Sequence, residues 1–146
     1  MQLSSIIIYD DATFHYKGNW PDNLEKKQAY VHTGLYLYWL IKNNLTGSAF
    51  NEMYRYQIED CLNKIMTGPQ LFMLMGGIFR SDILTDKGKE FTEYYFSLDS
   101  GNYMYDYEFA LARYEISPYH VSDTWANYEK LSRYIDQRYA SWLDYR

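Results

Sequence analysis

All three histidines of this sequence and three of its aspartates occur in three short segments, and such groups bind metal ions or transfer protons. The segments are YDDATFHY and VHTG in the first third of the chain, and YHVSD near its end. Imidazole nitrogens and carboxylate oxygens are common ligands of divalent ions, and they also act as acids and bases near neutral pH. One interpretation is therefore a metal-binding protein or hydrolase. The six residues are Asp10, Asp11, His15, His32, His120 and Asp123.

The spacing of these residues matches no established metal or catalytic motif. The sequence contains no HExxH, no CxxC pair and no calcium-loop pattern. Imidazoles and carboxylates also hydrogen-bond to backbone groups and tyrosine hydroxyls where chain segments cross. We therefore predict that the six residues form a structural polar clasp, which fixes the N-terminal arm against the helices and contacts the loop around His120. No catalytic residue, metal ion or other cofactor is expected.

The elements that must position these residues are mostly helical. The hydrophobic pattern predicts a single domain over residues 1–146, a bundle of about five or six helices with an extended or short-strand N-terminal arm. In the first long helix the run GLYLYWLI is apolar on every side, which is typical of a central, buried helix. The predicted helices are 25–43, 48–65 with Ser48 as its cap, a short one capped by Thr67, 85–96 capped by Thr85, one within 102–114, and a closing helix capped by Ser122 or Asp123.

Charge is distributed unevenly along the chain. The formal net charge is −5, and residues 82–115 carry the whole excess of acids over bases. This balance argues against nucleic-acid binding, which would require clustered Lys and Arg to neutralise phosphates. It permits a docking surface for a basic protein, since opposite charge accelerates association. The alternative is that the acids only solvate exposed helices. The acids of this segment are Asp82, Asp86, Glu90, Glu93, Asp99, Asp106, Glu108 and Glu115.

Membrane insertion and secretion are not expected. The longest apolar runs are much shorter than the ~20 residues that a membrane-spanning helix requires. The N-terminus lacks a basic leader followed by an apolar stretch. The single cysteine, Cys61, cannot form an internal disulfide and falls in an apolar helical pattern, which indicates a buried thiol. The sequence thus predicts a cytoplasmic protein without a membrane partner.

Four motifs, taken in order, resemble a family of small bacterial proteins of unassigned function. They are YDDA-x-x-HY at 9–16, H-x-G leading to WL at 32–40, LTD-x-G at 84–88, and YHV-x-D-x-W-x-NY at 119–128. The resemblance implies a small cytoplasmic protein without an established enzymatic activity. Proteins of this kind include immunity proteins of toxin systems, so the resemblance also implies a cognate protein toxin as the partner.

Composition is compatible with that partner. The chain contains 18 tyrosines, and tyrosine rings can anchor an interface while acidic groups attract a basic toxin. We therefore predict an immunity-type protein that binds and neutralises a toxin through an acidic, tyrosine-rich surface. The expected surface residues are Glu90, Glu93, Tyr94, Asp99, Tyr103, Tyr105, Asp106, Tyr107 and Glu108.

Overall fold

The computed structural model describes residues 5–97 and 101–146, and within these ranges it contains eight α-helices and one two-stranded sheet. The prediction of a mostly helical fold is confirmed, although the helices are shorter and more numerous than expected. None of the helices in these ranges is long and apolar enough to cross a membrane. The elements are β1 (Ile8–Asp11), α1 (Ala12–Tyr16), α2 (Val31–Lys42), α3 (Ser48–Met53), α4 (Arg55–Leu62), α5 (Gly68–Leu74), β2 (Ile78–Arg80), α6 (Asp86–Tyr95), α7 (Tyr103–Tyr107) and α8 (Trp125–Asp144).

The N-terminal arm is a short strand, as predicted, and it pairs antiparallel with β2. The register is irregular between Ile8 and Asp10, where β1 contains a bulge. Successive residues of a regular strand point to opposite faces, whereas here both Tyr9 and the side chain of Asp10 are about nine-tenths or more buried. The bulge therefore lets two neighbouring side chains face the interior.

Helix α2 forms the centre of the molecule. Every residue from Val31 to Ile41 is buried, which confirms the expectation from its apolar sequence. Helix α5 crosses α2 at very short range: a Cβ atom on Gly34 would lie 2.3 Å from the Cα atom of Pro69, and one on Gly68 would lie 2.1 Å from the carbonyl oxygen of Gly34. The two glycines thus permit contact between the helix backbones.

Aromatic rings fill the remaining core. The polar atoms of Tyr36 and Trp39 have partners, whereas the hydroxyls of Tyr9 and Tyr107 are buried without one among the described residues. The Tyr36 ring stacks on Phe96 with centroids 4.9 Å apart, and its hydroxyl lies 2.9 Å from Thr92 Oγ1. Trp39 Nε1 donates a hydrogen bond of 2.8 Å to Asp136 on α8. Tyrosine and tryptophan can be buried here because hydrogen bonds compensate for the lost hydration of their polar groups.

The prediction of one continuous helix over 48–65 is wrong. The chain breaks at Tyr54 and forms α3 and α4 instead. The expected apolar stripe is only partly buried: Phe50 and Cys61 are in the core, whereas Met53 is exposed at the end of α3 and Ile65 is exposed beyond the end of α4. Burial raises the pKa of the Cys61 thiol to about 11, which keeps it protonated near neutral pH.

Two of the predicted helix caps agree with the structure. Thr67 and Thr85 cap α5 and α6 through their side chains. The predicted caps of two other helices are wrong. Gly47, not Ser48, precedes α3. Thr124, not Ser122 or Asp123, caps α8 by accepting a hydrogen bond from the amide of Asn127. The first long helix begins at Val31, since residues Lys26–Tyr30 form a 3-10 turn.

We predict that Gly34→Ala lowers the free energy of unfolding by about 2–3 kcal/mol, because the added methyl group overpacks the contact between α2 and α5. Gly47→Ala is the matched control, since a Cβ atom there would meet only ordinary contacts at 3.5 Å or more and the loss of a glycine cap costs about 1 kcal/mol at most. Urea denaturation measures both. A stabilised Gly34→Ala variant, as helix propensity alone would give, would contradict the close approach.

Candidate functional site

The carboxylate of Asp10 contacts two imidazole rings inside the protein. Its Oδ1 atom lies 2.7 Å from His15 Nε2, and its Oδ2 atom lies 3.1 Å from His32 Nε2. The two imidazole rings meet edge to face with centroids 4.8 Å apart. Only 8% of the Asp10 side chain and 6% of the His32 side chain are exposed, compared with 23% of His15. The cluster is thus buried on one side and accessible through His15. We call Asp10, His15 and His32 the Asp–His cluster.

Three different elements supply the members of the Asp–His cluster. Asp10 lies at the bulge of β1, His15 lies on α1, and His32 is the second residue of α2. Helix α1 is held in place because the side chain of Asp11 caps it, accepting a 2.9 Å hydrogen bond from the amide of Thr13. The Ala12 amide also donates to a carbonyl in the turn before β2. The bulge and the cap together direct His15 towards Asp10.

Two hydroxyl groups complete the surroundings of the Asp–His cluster. Thr33 Oγ1 donates a 2.5 Å hydrogen bond to Asp10 Oδ2, and the Tyr119 hydroxyl lies 2.7 Å from His15 Nδ1. A third hydroxyl, on Tyr103, donates to the backbone carbonyl of His32. The Thr33 and Tyr119 contacts fix the orientation of the Asp10 carboxylate and of the His15 ring. Hydrogen bonds of this kind commonly orient side chains that bind metal ions.

The electrostatics favour an ionised Asp10 and a protonated Tyr119. Burial alone would raise the pKa of Asp10, but its contacts with His15, His32 and Thr33 hold that pKa well below its usual range. Burial and the charge of Asp10 raise the pKa of Tyr119. The carboxylate is therefore a permanent negative charge at neutral pH, and the phenol retains its proton.

The Asp–His cluster forms part of the wall of a cavity of about 250 Å³. Apolar groups and one further carboxylate, that of Glu108, complete the wall. A titratable cluster that borders a cavity is a stronger candidate for a functional site than one enclosed in the core. The lining residues are Asp10, His15, His32, Phe96, Met104, Glu108, Pro118 and Tyr119.

The arrangement has the donor set of a metal centre. One ligand atom from each residue of the Asp–His cluster can be chosen so that all three lie within 4.8 Å of one another. Two imidazole nitrogens and one carboxylate oxygen suit first-row divalent ions and leave coordination positions for water or substrate. The same atoms can also transfer protons, since an imidazole beside a carboxylate is a common acid–base pair.

The other three residues of the predicted clasp lie elsewhere. Asp11 caps α1, and His120 contacts Ser117 Oγ at 2.7 Å within its own turn. Asp123 accepts a 2.6 Å hydrogen bond from Thr67 Oγ1, whereas its Oδ1 atom is buried without a partner among the described residues. Burial accordingly raises the pKa of Asp123. The structure therefore does not combine all six residues in one cluster.

The predicted partner surface is wrong at three positions. Tyr103, Asp106 and Tyr107 are all buried, with at most 2% of each residue exposed. Asp106 accepts hydrogen bonds from the Tyr95 hydroxyl at 2.7 Å and from two guanidinium nitrogens of Arg138 at 2.9 and 3.0 Å. Its charge is therefore used inside the protein, because a buried carboxylate needs compensating partners.

The remaining residues of that surface do not form one uniform acidic area. Glu90 is paired with Arg146, and Glu108 lines the cavity beside the Asp–His cluster. Glu93 and the half-exposed Tyr94 face solvent on α6, and Tyr105 is exposed on α7. Asp99 lies outside the described residues.

Sequence reasoning did not find Thr33 or Tyr119 as parts of the site. Thr33 adjoins His32 in the sequence, and Tyr119 adjoins His120. His32 and Thr33 both contact Asp10, whereas His120 stays within its own turn and the neighbouring Tyr119 contacts His15. Hydroxyl residues are too common for their type alone to signal such a role. The loop that contains His120 does reach the cluster, but through the tyrosine.

Together, the fold and the site define a mostly helical protein in which two imidazoles contact a buried carboxylate beside a cavity. The chain belongs to the family of the domain of unknown function DUF7832, whose family model matches residues 8–121. The matched range contains the Asp–His cluster, Thr33 and Tyr119, but not helix α8. No curated protein and no solved structure matches the chain.

We predict that Asp106→Asn lowers the free energy of unfolding by about 2 kcal/mol, because hydrogen bonds to charged groups contribute about 1.5–3 kcal/mol and Arg138 loses its counter-charge. Asp86→Asn is the control, since its carboxylate is fully exposed and only 3.9 Å from Lys89. That variant should lose clearly less stability than Asp106→Asn, because its charge acts only on the first turn of α6 and on a distant Lys89. Equal stability of the two variants would show that Asp106 acts as an ordinary surface acid.

Proposed function

We propose that the protein binds a first-row divalent metal ion through Asp10, His15 and His32. The observation that carries this proposal is the convergence of three ligand atoms, all within 4.8 Å of one another, at the wall of a cavity. This differs from the expectation of a purely structural clasp. It retains three of the six residues that the sequence offered as metal ligands.

The distances in the Asp–His cluster are close to those of a coordination sphere. Ligand atoms bound to a tetrahedral ion at about 2.0–2.1 Å lie roughly 3.3 Å apart. The two contacts between imidazole and carboxylate measure 2.7 and 3.1 Å, so these pairs need to move little. The widest separation must shrink by roughly 1.5 Å to reach that geometry. Rotation of the more exposed His15 ring can provide this movement.

The Tyr119 hydroxyl supports both the metal-free and the metal-bound forms. In the tautomer whose Nε2 proton is donated to Asp10, the Tyr119 hydroxyl can donate its own proton to Nδ1. Metal binding at Nε2 requires the other tautomer, in which Nδ1 carries the proton and donates to the Tyr119 oxygen. Because a hydroxyl both donates and accepts, the same 2.7 Å contact is compatible with either state.

The cavity would allow a bound metal ion to act on a small ligand. Three protein ligands leave at least one position open, and a bound water there would become more acidic. Glu108 lines the same cavity and is a candidate base for that water. The class of reaction that this arrangement favours is metal-assisted hydrolysis of a ligand small enough for a volume of about 250 Å³.

We predict that the purified protein binds Zn²⁺ or Co²⁺ in a one-to-one ratio and that His15→Ala greatly weakens this binding, because one of the three ligands is lost. His120→Ala is the matched control, since His120 is also partly exposed but contacts Ser117 instead of the cluster. Calorimetric titration measures affinity, and the Co²⁺ absorption spectrum reports coordination by nitrogen.

Circular dichroism must show that both histidine variants are folded. Equal affinities of the two variants would contradict the assignment of ligands. A folded wild-type protein that binds neither ion would remove the proposal and leave the Asp–His cluster as a structural clasp.

A second candidate function is the binding of a basic toxin by an immunity-type protein, in keeping with the resemblance to small bacterial proteins. The observation that favours it is one face of α6. Glu90, Glu93 and Tyr94 follow the i, i+3 and i+4 spacing that places side chains on the same side of a helix, and all three are exposed. The proposed docking surface is therefore smaller than the expected one and consists of the three exposed residues of α6.

We predict that the toxin encoded beside this chain forms a complex that Glu93→Lys combined with Tyr94→Ala weakens, because a charge is reversed and an aromatic anchor is removed. Glu52→Lys combined with Tyr56→Ala makes the same chemical change at exposed positions on α3 and α4. Co-purification and calorimetry measure the complex. Its absence with the wild-type protein would exclude this function without affecting the metal proposal.

A further inference from the structure

A groove separates α8 from the chain segment 105–116. Two adjoining cavities of about 420 and 330 Å³ form it, and they share Phe109, Tyr134 and Gln137. Its aromatic rings contact one another. The Phe109 ring stacks in parallel with that of Tyr105, with centroids 6.4 Å apart, and meets that of Tyr134 edge to face, with centroids 6.0 Å apart. We call this feature the α8 groove; it lies apart from the cavity beside the Asp–His cluster.

Large apolar side chains are exposed along one wall of the α8 groove and just beyond it. The exposed fraction is 66% for Tyr105 and 41% for Phe109, and it rises to 91% for Tyr114 and 88% for Ile116. Single exposed apolar residues are common, but four within twelve positions of the chain indicate an interaction surface.

Cationic side chains lie on both walls of the α8 groove, Arg113 on the wall of Phe109 and Lys130 and Arg133 on α8. Arg113, Lys130 and Arg133 line the larger cavity, and within the described ranges none of the three forms an ion pair with a carboxylate. The Arg113 guanidinium lies over the Phe109 ring, 4.4 Å from its centroid. Asp106 is the one carboxylate among the residues that line either cavity, and Arg138 neutralises it. The α8 groove therefore has a surplus of positive charge in a protein that is acidic overall.

The backbone of the wall that contains Phe109 is also unusual. Residues Glu108–Ala112 form a π-helical turn that directly follows α7. Such turns are rare, cost stability and occur frequently at functional sites. Here the turn contains Phe109 and precedes Arg113, which are the aromatic ring and the cation that contact each other in the groove.

From these observations we propose that the α8 groove binds an acidic peptide segment of a partner protein. The carboxylates of the segment contact Arg113, Lys130 and Arg133, while its apolar side chains lie against Phe109, Tyr134 and the neighbouring exposed rings. Charge complementarity selects this occupant over a basic one. The site is independent of the Asp–His cluster and has the opposite charge to the α6 face.

The test uses a short fluorescein-labelled peptide in which glutamates alternate with leucines, titrated with the full-length protein and followed by fluorescence anisotropy. We expect saturable binding that weakens with added salt. Lys130→Glu combined with Arg133→Glu should weaken it by about tenfold or more, since two attractive contacts become repulsive. Both positions are exposed, so the variant should fold.

Lys17→Glu combined with Lys42→Glu is the matched control, because it changes the net charge equally at exposed positions away from the α8 groove. This variant should bind the peptide like the wild type. Equal loss of binding in both double variants would show a nonspecific charge effect and overturn the proposal. Absence of saturable binding, equal binding of an alternating lysine–leucine peptide, or tighter binding of oligothymidine would also overturn it.

Discussion

A buried carboxylate needs partners, and this requirement organises the N-terminal part of the structure. Asp10 obtains them from His15 on α1 and from His32 and Thr33 on α2. Because α2 lies at the centre of the core and β1 pairs with β2, the Asp10 side chain connects the arm to the helical body, together with the buried ring of Tyr9. Removing an ionised carboxylate from water is costly unless hydrogen bonds replace the lost hydration. The bulge that turns Asp10 inward is thus stabilised by the contacts that it creates.

Tyrosine has two roles in this protein, and the sequence alone does not separate them. Tyr36, Tyr95 and Tyr103 are buried, and each hydroxyl has a polar partner. Tyr105 and Tyr114 are exposed. The alternation of tyrosines at 103, 105 and 107 becomes a helical turn in which the first and third rings face the core. Burial of a tyrosine is favoured by a hydrogen-bonding partner, which Tyr36, Tyr95 and Tyr103 find outside their own helical turn. The buried hydroxyls of Tyr9 and Tyr107 have none among the described residues. Composition therefore predicted the abundance of aromatic contacts but not which rings are accessible.

The elements that follow from local chemistry were predictable, whereas those that depend on distant contacts were not. Thr67 and Thr85 were identified as caps because a hydroxyl before a helix bonds to its first amides, and α2 was identified as central because it lacks a polar face. The three-residue strand β2 exists only through its pairing with β1. The break at Tyr54 likewise has no clear local signal. At the site, the types of Asp10, His15 and His32 suggested their chemistry, but their convergence depends on the bulge.

Charge along the chain and charge in space differ for the same reason. Residues 82–115 are acidic in sequence, yet the fold pairs Asp106 with Arg138 and Glu90 with Arg146, both basic groups from the C-terminal part of the chain. Helix α8 also places Lys130 and Arg133 opposite Phe109, so part of the apparently acidic segment borders a cationic groove. Uncompensated negative charge then remains on the exposed side of α6. Helix α8 therefore supplies positive charge to the α8 groove, whereas the negative charge of the other surface comes from glutamates of α6 itself. A partner that binds the α8 groove therefore depends on α8, although that helix lies outside the range that the family model matches.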